Sequence, residues 1–122
     1  MYLLDSNILI YSARSEHAFL RSYISNQSTP AAVSVVTAIE VLGFHRLTPN
    51  DKNYFESCFG LLELLEVTAS IAEKAVELRQ RQKISLGDAI IAATAITHNL
   101  ELITRNTSDF AEIAGLRVSN PF

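Results

Sequence analysis

The sequence is poor in the residues that anchor several protein classes. It holds one cysteine, Cys58, one methionine and no tryptophan. A single thiol forbids an internal disulfide, which excludes small disulfide-stapled scaffolds and points to a reducing compartment. His17, His45 and His98 share no ligand spacing, so a zinc cluster has no donors. No apolar run nears the roughly 20 residues of a membrane span. Asp5 interrupts the N-terminus too early for a signal-peptide core. A cytoplasmic protein with no membrane association is expected. No linker, repeat or low-complexity tract divides the chain, so residues 1–122 are expected to form one domain. That length buries roughly two-thirds of the unfolded surface. Apolar residues at 48% and charged residues at 19% exclude intrinsic disorder.

An excess of positive charge is lacking too. Ten Lys and Arg face thirteen Asp and Glu, for a formal net charge of -3. This argues against a protein that grips nucleic acid by bulk charge. It does not argue against an enzyme whose acids hold divalent ions, because each ion returns two positive charges. Aspartate is scarce: Asp5, Asp51, Asp88 and Asp109 are the whole set.

Short apolar segments alternate with helical patterns. Strands are predicted at Tyr2 to Leu4, Ala32 to Val35, Leu64 to Val67, Leu102 to Thr104 and Leu116 to Val118. Helical segments are predicted at Ile8 to Ser12, Glu16 to Ser25, Val36 to Leu47, and Tyr54 to Leu62 with Asn50 as N-cap. Ile71 to Gln82 is amphipathic, Leu86 to Asn99 is apolar nearly all round, and a short helix follows near Phe110 to Ala114. This alternation predicts a parallel sheet covered on both faces, with functional groups beyond the C-terminal strand ends.

Asp5 falls where the first strand ends and Asp109 in the loop after the fourth. Glu40 lies on the helix after the second strand, and Asp88 in the first turn of the apolar helix. Carboxylates gathered at one sheet edge repel, raising one another's pKa, and stay ionised only around cations. Hard oxygen donors suit Mg²⁺ or Mn²⁺. Each acid also has a plainer role. Asp5 and Asp109 serve as caps or loop residues, and Asp88 closes a capping box opened by Ser85. Glu40 falls in the stripe of Val36, Ile39, Gly43 and Leu47, where an unpaired charge is costly unless it reaches solvent. Arg79, Arg81 and Lys83 form a basic run whose ordinary role is dipole compensation at a helix C-terminus. Cys58 reads as a small buried side chain.

Taken together, four segments resemble those of the PIN-domain nucleases and, within them, the VapC-type toxins. These are Tyr2-Leu3-Leu4-Asp5-Ser6-Asn7, Thr37-Ala38-Ile39-Glu40, Ser85-Leu86-Gly87-Asp88-Ala89 and Leu102-Ile103-Thr104-Arg105-Asn106-Thr107-Ser108-Asp109. They occur in family order along the whole chain. The resemblance implies a PIN-like three-layer α/β/α sandwich with a central five-stranded parallel sheet. It also implies one acidic metal pocket built from Asp5, Glu40, Asp88 and Asp109. Gly87 departs from the small side chain usual at its position, with little functional consequence expected. Asn106 stands where the family varies between Asp and Asn, so any metal contact there would be neutral and weaker.

The implied activity is Mg²⁺- or Mn²⁺-dependent hydrolysis of RNA phosphodiesters by the toxin of a type II toxin–antitoxin pair. Asp5 and Asp88 would be the chief metal ligands, completed by Glu40 and Asp109. Ser6, Asn7, Thr104 and Asn106 would hydrogen-bond the carboxylates or a phosphate oxygen, and Arg105 would steer a phosphate. Implied partners are an RNA substrate, a VapB-type antitoxin lying over the cleft, and a second copy in a homodimer. Phe19, Tyr54 and Phe59 offer apolar residues for that dimer. The alternative is a metal-poor PIN-like binding or scaffolding module, since a fold does not fix a function. A haloacid-dehalogenase phosphatase is disfavoured by Asn7 where a second Asp is needed, and a receiver domain lacks its later Asp and Lys.

Overall fold

Short strands, the central ones apolar and buried on both faces, set the architecture. Five of them, Tyr2–Leu4 (β1), Ala31–Ser34 (β2), Glu63–Leu65 (β3), Glu101–Ile103 (β4) and Arg117–Ser119 (β5), pair in parallel in the order β3-β2-β1-β4-β5. The computed structural model describes residues 1–122. The helices are Ser6–Ser12 (α1), Arg21–Ser25 (α2), Val35–Leu42 (α3), Pro49–Leu61 (α4), Ala69–Arg81 (α5) and Leu86–His98 (α6). Tighter 3₁₀ turns occupy Ser15–Leu20 and Thr107–Phe110.

The period-two alternation of the strands divides the core into two layers. Leu3, Ala32 and Leu102 point to one face, where they meet Ile71, Ala75 and Leu78 of α5 and the alanines of α6. Leu4, Val33 and Ile103 point to the other, against Ile8 and Leu9 of α1, Ile24 of α2 and Cys58 of α4. The result is the expected three-layer α/β/α sandwich. Ala89, Ala92, Ala93 and Ala95 are all buried in α6, and such small side chains let a helix approach the sheet closely.

Local chemistry moves several element boundaries from those predicted. The third helix stops at Leu42 rather than Leu47, because the chain leaves the helical conformation at Gly43. Thr48, not Asn50, caps α4: its hydroxyl accepts from Asp51 N–H at 3.1 Å, and Pro49 takes the first helical position, where no N–H is needed. The last short helix is the 3₁₀ turn Thr107–Phe110, earlier than Phe110 to Ala114.

The strand order places the functional end. From β1 the chain steps outward through β2 to β3, then returns to β4 on the opposite side of β1. In open parallel sheets such a reversal opens a crevice beyond the C-terminal strand ends. Asp5 follows β1 and Thr104 follows β4, so both stand at that switch point.

Candidate active site

Strand pairing fixes Asp5. Leu4 stands opposite Ile103, and Asp5 N–H extends the ladder to the Ile103 carbonyl at 3.0 Å. The next residue on β4's side, Thr104, donates its hydroxyl to Asp5 Oδ2 at 2.7 Å. Thr104 Oγ1 accepts in turn from Asn106 N–H at 3.1 Å, which holds the rotamer. Asp5 is only 4% exposed and Thr104 is fully buried. Asp5 sits at the N-cap of α1 yet its side chain makes no capping bond. The carboxylate is therefore committed to the crevice rather than to the helix.

Glu40 reaches the same place from α3. The face of α3 turned inward is Thr37 and Val41, both buried, whereas Ile39 is 67% exposed. The predicted stripe of Val36, Ile39, Gly43 and Leu47 is thus not the core face, and Glu40 is a solvent-exposed residue. Its carboxylate is nonetheless anchored. Ser6 Oγ lies 2.9 Å from Glu40 Oε1 and 2.9 Å from Thr37 Oγ1, at the start of α1. Thr37 escaped the sequence reading, although it stands one turn before Glu40 in the same motif.

Asp88 stands in the first turn of α6. Ser85 caps the helix by accepting from Asp88 N–H at 3.2 Å. A methyl group at Gly87 would sit 3.3 Å from Glu40 Oε2, so this glycine is the surface on which Glu40 rests. Asp109, exposed in the Thr107–Phe110 turn, shares with Asp88 a cleft of about 620 Å³ that also contains Arg79, Lys83, Ser85 and Ser108.

The acids interact as a chain with Asp88 at its centre. Burial pushes the Asp5 carboxyl up to about 6; the Thr104 bond opposes this, while Asp88 and Glu40 add to it. Asp88 is also raised, first by burial, with Ser85 opposing and Asp109 and Glu40 adding. The only ion pair in the protein is Lys74–Glu77, so no Lys or Arg pairs directly with any of these four acids. Carboxylates free of ion pairs, together with hydroxyls, form a hard donor set that fits Mg²⁺ or Mn²⁺. As the side chains stand, no three of His, Cys, Asp and Glu converge within reach of one ion. The arrangement is looser than a closed cage. It suits an ion that keeps several waters and takes one or two direct carboxylates, as Mg²⁺ does.

The remaining predicted residues divide. Ser6 and Thr104 bond the carboxylates directly, while Asn106 acts through its backbone N–H on Thr104. Asn7 is half-buried in α1, and its side chain makes no hydrogen bond. Arg105 points away from the acids: its guanidinium stacks over Phe122 at 4.3 Å and Tyr11 at 5.3 Å. Of the basic run, Arg79 and Lys83 line the cleft with Asp88 and Asp109, a proximity that sequence distance conceals. Burial pushes the Cys58 thiol up, in keeping with an inert core residue. On the other side of Glu40, a groove of about 350 Å³ is lined by Ile10, Val41, Phe44, Leu47 and Phe55.

Comparison with known proteins matches this architecture. The family model for the PIN domain matches residues 2–116. Ribonuclease VapC10 of Mycobacterium tuberculosis is 31% identical across 90% of this chain and 86% of its own. The tRNA(fMet)-specific endonuclease VapC of Shigella flexneri is 24% identical across 98% and 96%. Among solved structures, a toxin–antitoxin complex from Klebsiella pneumoniae contains a chain of 36% identity. It superposes with a TM-score of 0.77 over 100% of this chain and 98% of its own. The chain belongs to the PIN-domain family, in its VapC-type branch.

Proposed function

We propose that the protein is a Mg²⁺- or Mn²⁺-dependent endoribonuclease and the toxin of a type II toxin–antitoxin pair, with Asp5, Glu40, Asp88 and Asp109 as its catalytic carboxylates. The observation that carries this reading is the electrostatic chain linking Asp5, Glu40, Asp88 and Asp109 beside the β1/β4 switch point, none of them in an ion pair. The names of the VapC relatives support ribonuclease activity.

Asp5 and Asp88 would hold the ion, Asp5 being oriented by Thr104 and Asp88 by the start of α6. When bound, a divalent ion lowers the pKa of water and offsets the charge that builds on the phosphodiester. Glu40, held through Oε1 by Ser6, keeps Oε2 free to take the proton of the attacking water. Asp109, exposed at the mouth, would complete the site through water. Arg79 and Lys83 flank the cleft, where they would attract the RNA backbone without neutralising the acids. A VapB-type antitoxin segment would cover this edge, and the apolar groove beside Glu40 offers it a seat. For the homodimer, Phe19 is the exposed member of the three expected residues; Tyr54 and Phe59 are half-buried against the core.

Purified protein with Mn²⁺ is expected to cleave structured RNA. Asp5→Asn and Asp88→Asn should each abolish cleavage while circular dichroism remains unchanged. Full activity in EDTA, or in both variants, would overturn the proposal. Expression without an antitoxin should arrest growth, and the Asp5→Asn variant should not.

The loose spacing of the acids favours a second reading, a PIN-like binding module with little metal affinity. Calorimetric Mn²⁺ titration of wild type and Asp88→Asn separates the two: heat in wild type alone supports the nuclease, and none in either supports the module.

A further inference from the structure

One residue beyond Thr104, Arg105 joins an aromatic cluster that the metal chemistry does not use. Phe122 meets Phe19 at 5.3 Å, Tyr11 at 5.6 Å and His17 at 5.2 Å between ring centroids, all edge-to-face. Over it sits the Arg105 guanidinium, 4.3 Å from the Phe122 centroid. Yet Phe19 is 49% and Phe122 42% exposed, and Arg105 is exposed and in no ion pair. Large rings left half in water beside an unpaired cation are a poor solution for stability alone.

We propose that Phe19, Phe122 and Tyr11, with Arg105, form a stacking platform for an unpaired RNA base flanking the scissile phosphate. The inference rests on the nuclease reading above and names the part of the substrate that the acids cannot hold. Position argues for it. Arg105 directly follows Thr104, the residue bonded to Asp5. Tyr11 lies six residues beyond Asp5 on α1, about 9 Å at 1.5 Å per residue. Chemistry argues for it as well. Single-stranded RNA is held by aromatic and guanidinium faces for its bases and by cations for its phosphates, and this cluster supplies both. A protein partner with an acidic or apolar segment is the competing occupant, and the test distinguishes it.

Binding is measured by fluorescence anisotropy in an Asp88→Asn background, which prevents cleavage. The probes are a short single-stranded RNA of mixed sequence and an abasic oligomer of equal length. Phe19→Ala and Phe122→Leu should each weaken binding of the base-bearing RNA by about tenfold, the scale of one lost stacking contact, and leave the abasic oligomer unaffected. Arg105→Gln should weaken both. Thermal melts confirm that each variant folds, and Phe122→Leu retains apolar packing if Phe19→Ala does not. Equal affinity of the folded variants and parent for both probes overturns the platform. So does unchanged RNA binding with loss of self-association in sedimentation, which would give the patch to a protein. Wild-type cleavage lost in Asp5→Asn, together with normal binding by the phenylalanine variants, defeats the platform alone. Wild type that neither binds nor cleaves RNA with Mn²⁺ defeats both readings.

Discussion

Replacing Asp5 by Asn should stabilise the metal-free protein while destroying its function. Burial, Asp88 and Glu40 raise the Asp5 carboxyl from its ordinary 3.8 to about 6. The native state therefore holds this proton more tightly than the unfolded chain does. Its contribution to stability is complete below pH 3.8 and is lost as pH rises through about 6. At 1.36 kcal/mol per pH unit, the loss is about 3 kcal/mol. Asparagine is neutral throughout, and its amide oxygen can still accept from Thr104. In EDTA at pH 7.5, urea unfolding should therefore find Asp5→Asn more stable than wild type by about 3 kcal/mol. At pH 3.5 the two should nearly coincide. Saturating Mn²⁺ should raise the stability of wild type far more than that of the variant, because only a bound native state gains. A variant no more stable than wild type at pH 7.5 would refute the reasoning. An advantage equal at both pH values would refute it too, since the origin would then not be ionisation.

Three further substitutions probe the groups around the acids. Thr104→Val removes the bond that holds the Asp5 carboxyl down, so the acid limb of the pH–rate profile should move to higher pH, with about 2 kcal/mol of stability lost at pH 8; an unmoved profile would show that Asp5 is not the titrating group. Ser6→Ala frees Glu40 and Thr37 together, and single-turnover kinetics should show about a tenfold slower chemical step, the equivalent of one positioning bond of about 1.4 kcal/mol. Gly87→Ala should raise thermal stability by about 0.5–1 kcal/mol as the helix start improves, with exposed Glu40 retreating from the new methyl; a destabilised variant would mean that Glu40 is rigidly held.

The central strands were legible because Leu3, Leu4, Leu102 and Ile103 are apolar on successive residues, as a strand buried on both faces requires. Ser85 announced α6 because its capping chemistry is local to four residues. The segments around Asp5, Glu40, Asp88 and Asp109 could be read in family order, but their spacing in space could not. Periodicity failed at α3 for a specific reason: a 100° repeat identifies stripes, not which stripe faces the core, and Thr37 with Val41 won over Ile39. The position of Arg105 was equally hidden. Its stacking partner Phe122 is brought there by β5, and its other partner Tyr11 by α1, contacts that no local pattern encodes. Likewise Arg79 and Asp109 line one cleft only because α5 and the turn after β4 border it.

The side chains that hold the acids are all neutral hydroxyls: Thr104 on Asp5, Ser6 on Glu40, Thr37 behind Ser6, and Ser85 at Asp88. Lysine or arginine in any of these places would orient a carboxylate more strongly, since charge-assisted bonds are the stronger ones. It would also bring its own positive charge, depress the acids' pKa and occupy the field that a divalent ion needs. Hydroxyls fix direction while leaving the negative potential intact. The consequence is a site that is poorly balanced on its own, with Asp5 and Asp88 both displaced toward the neutral form. The two layers of the core carry that imbalance, and in the proposed nuclease a divalent ion from outside the chain would relieve it.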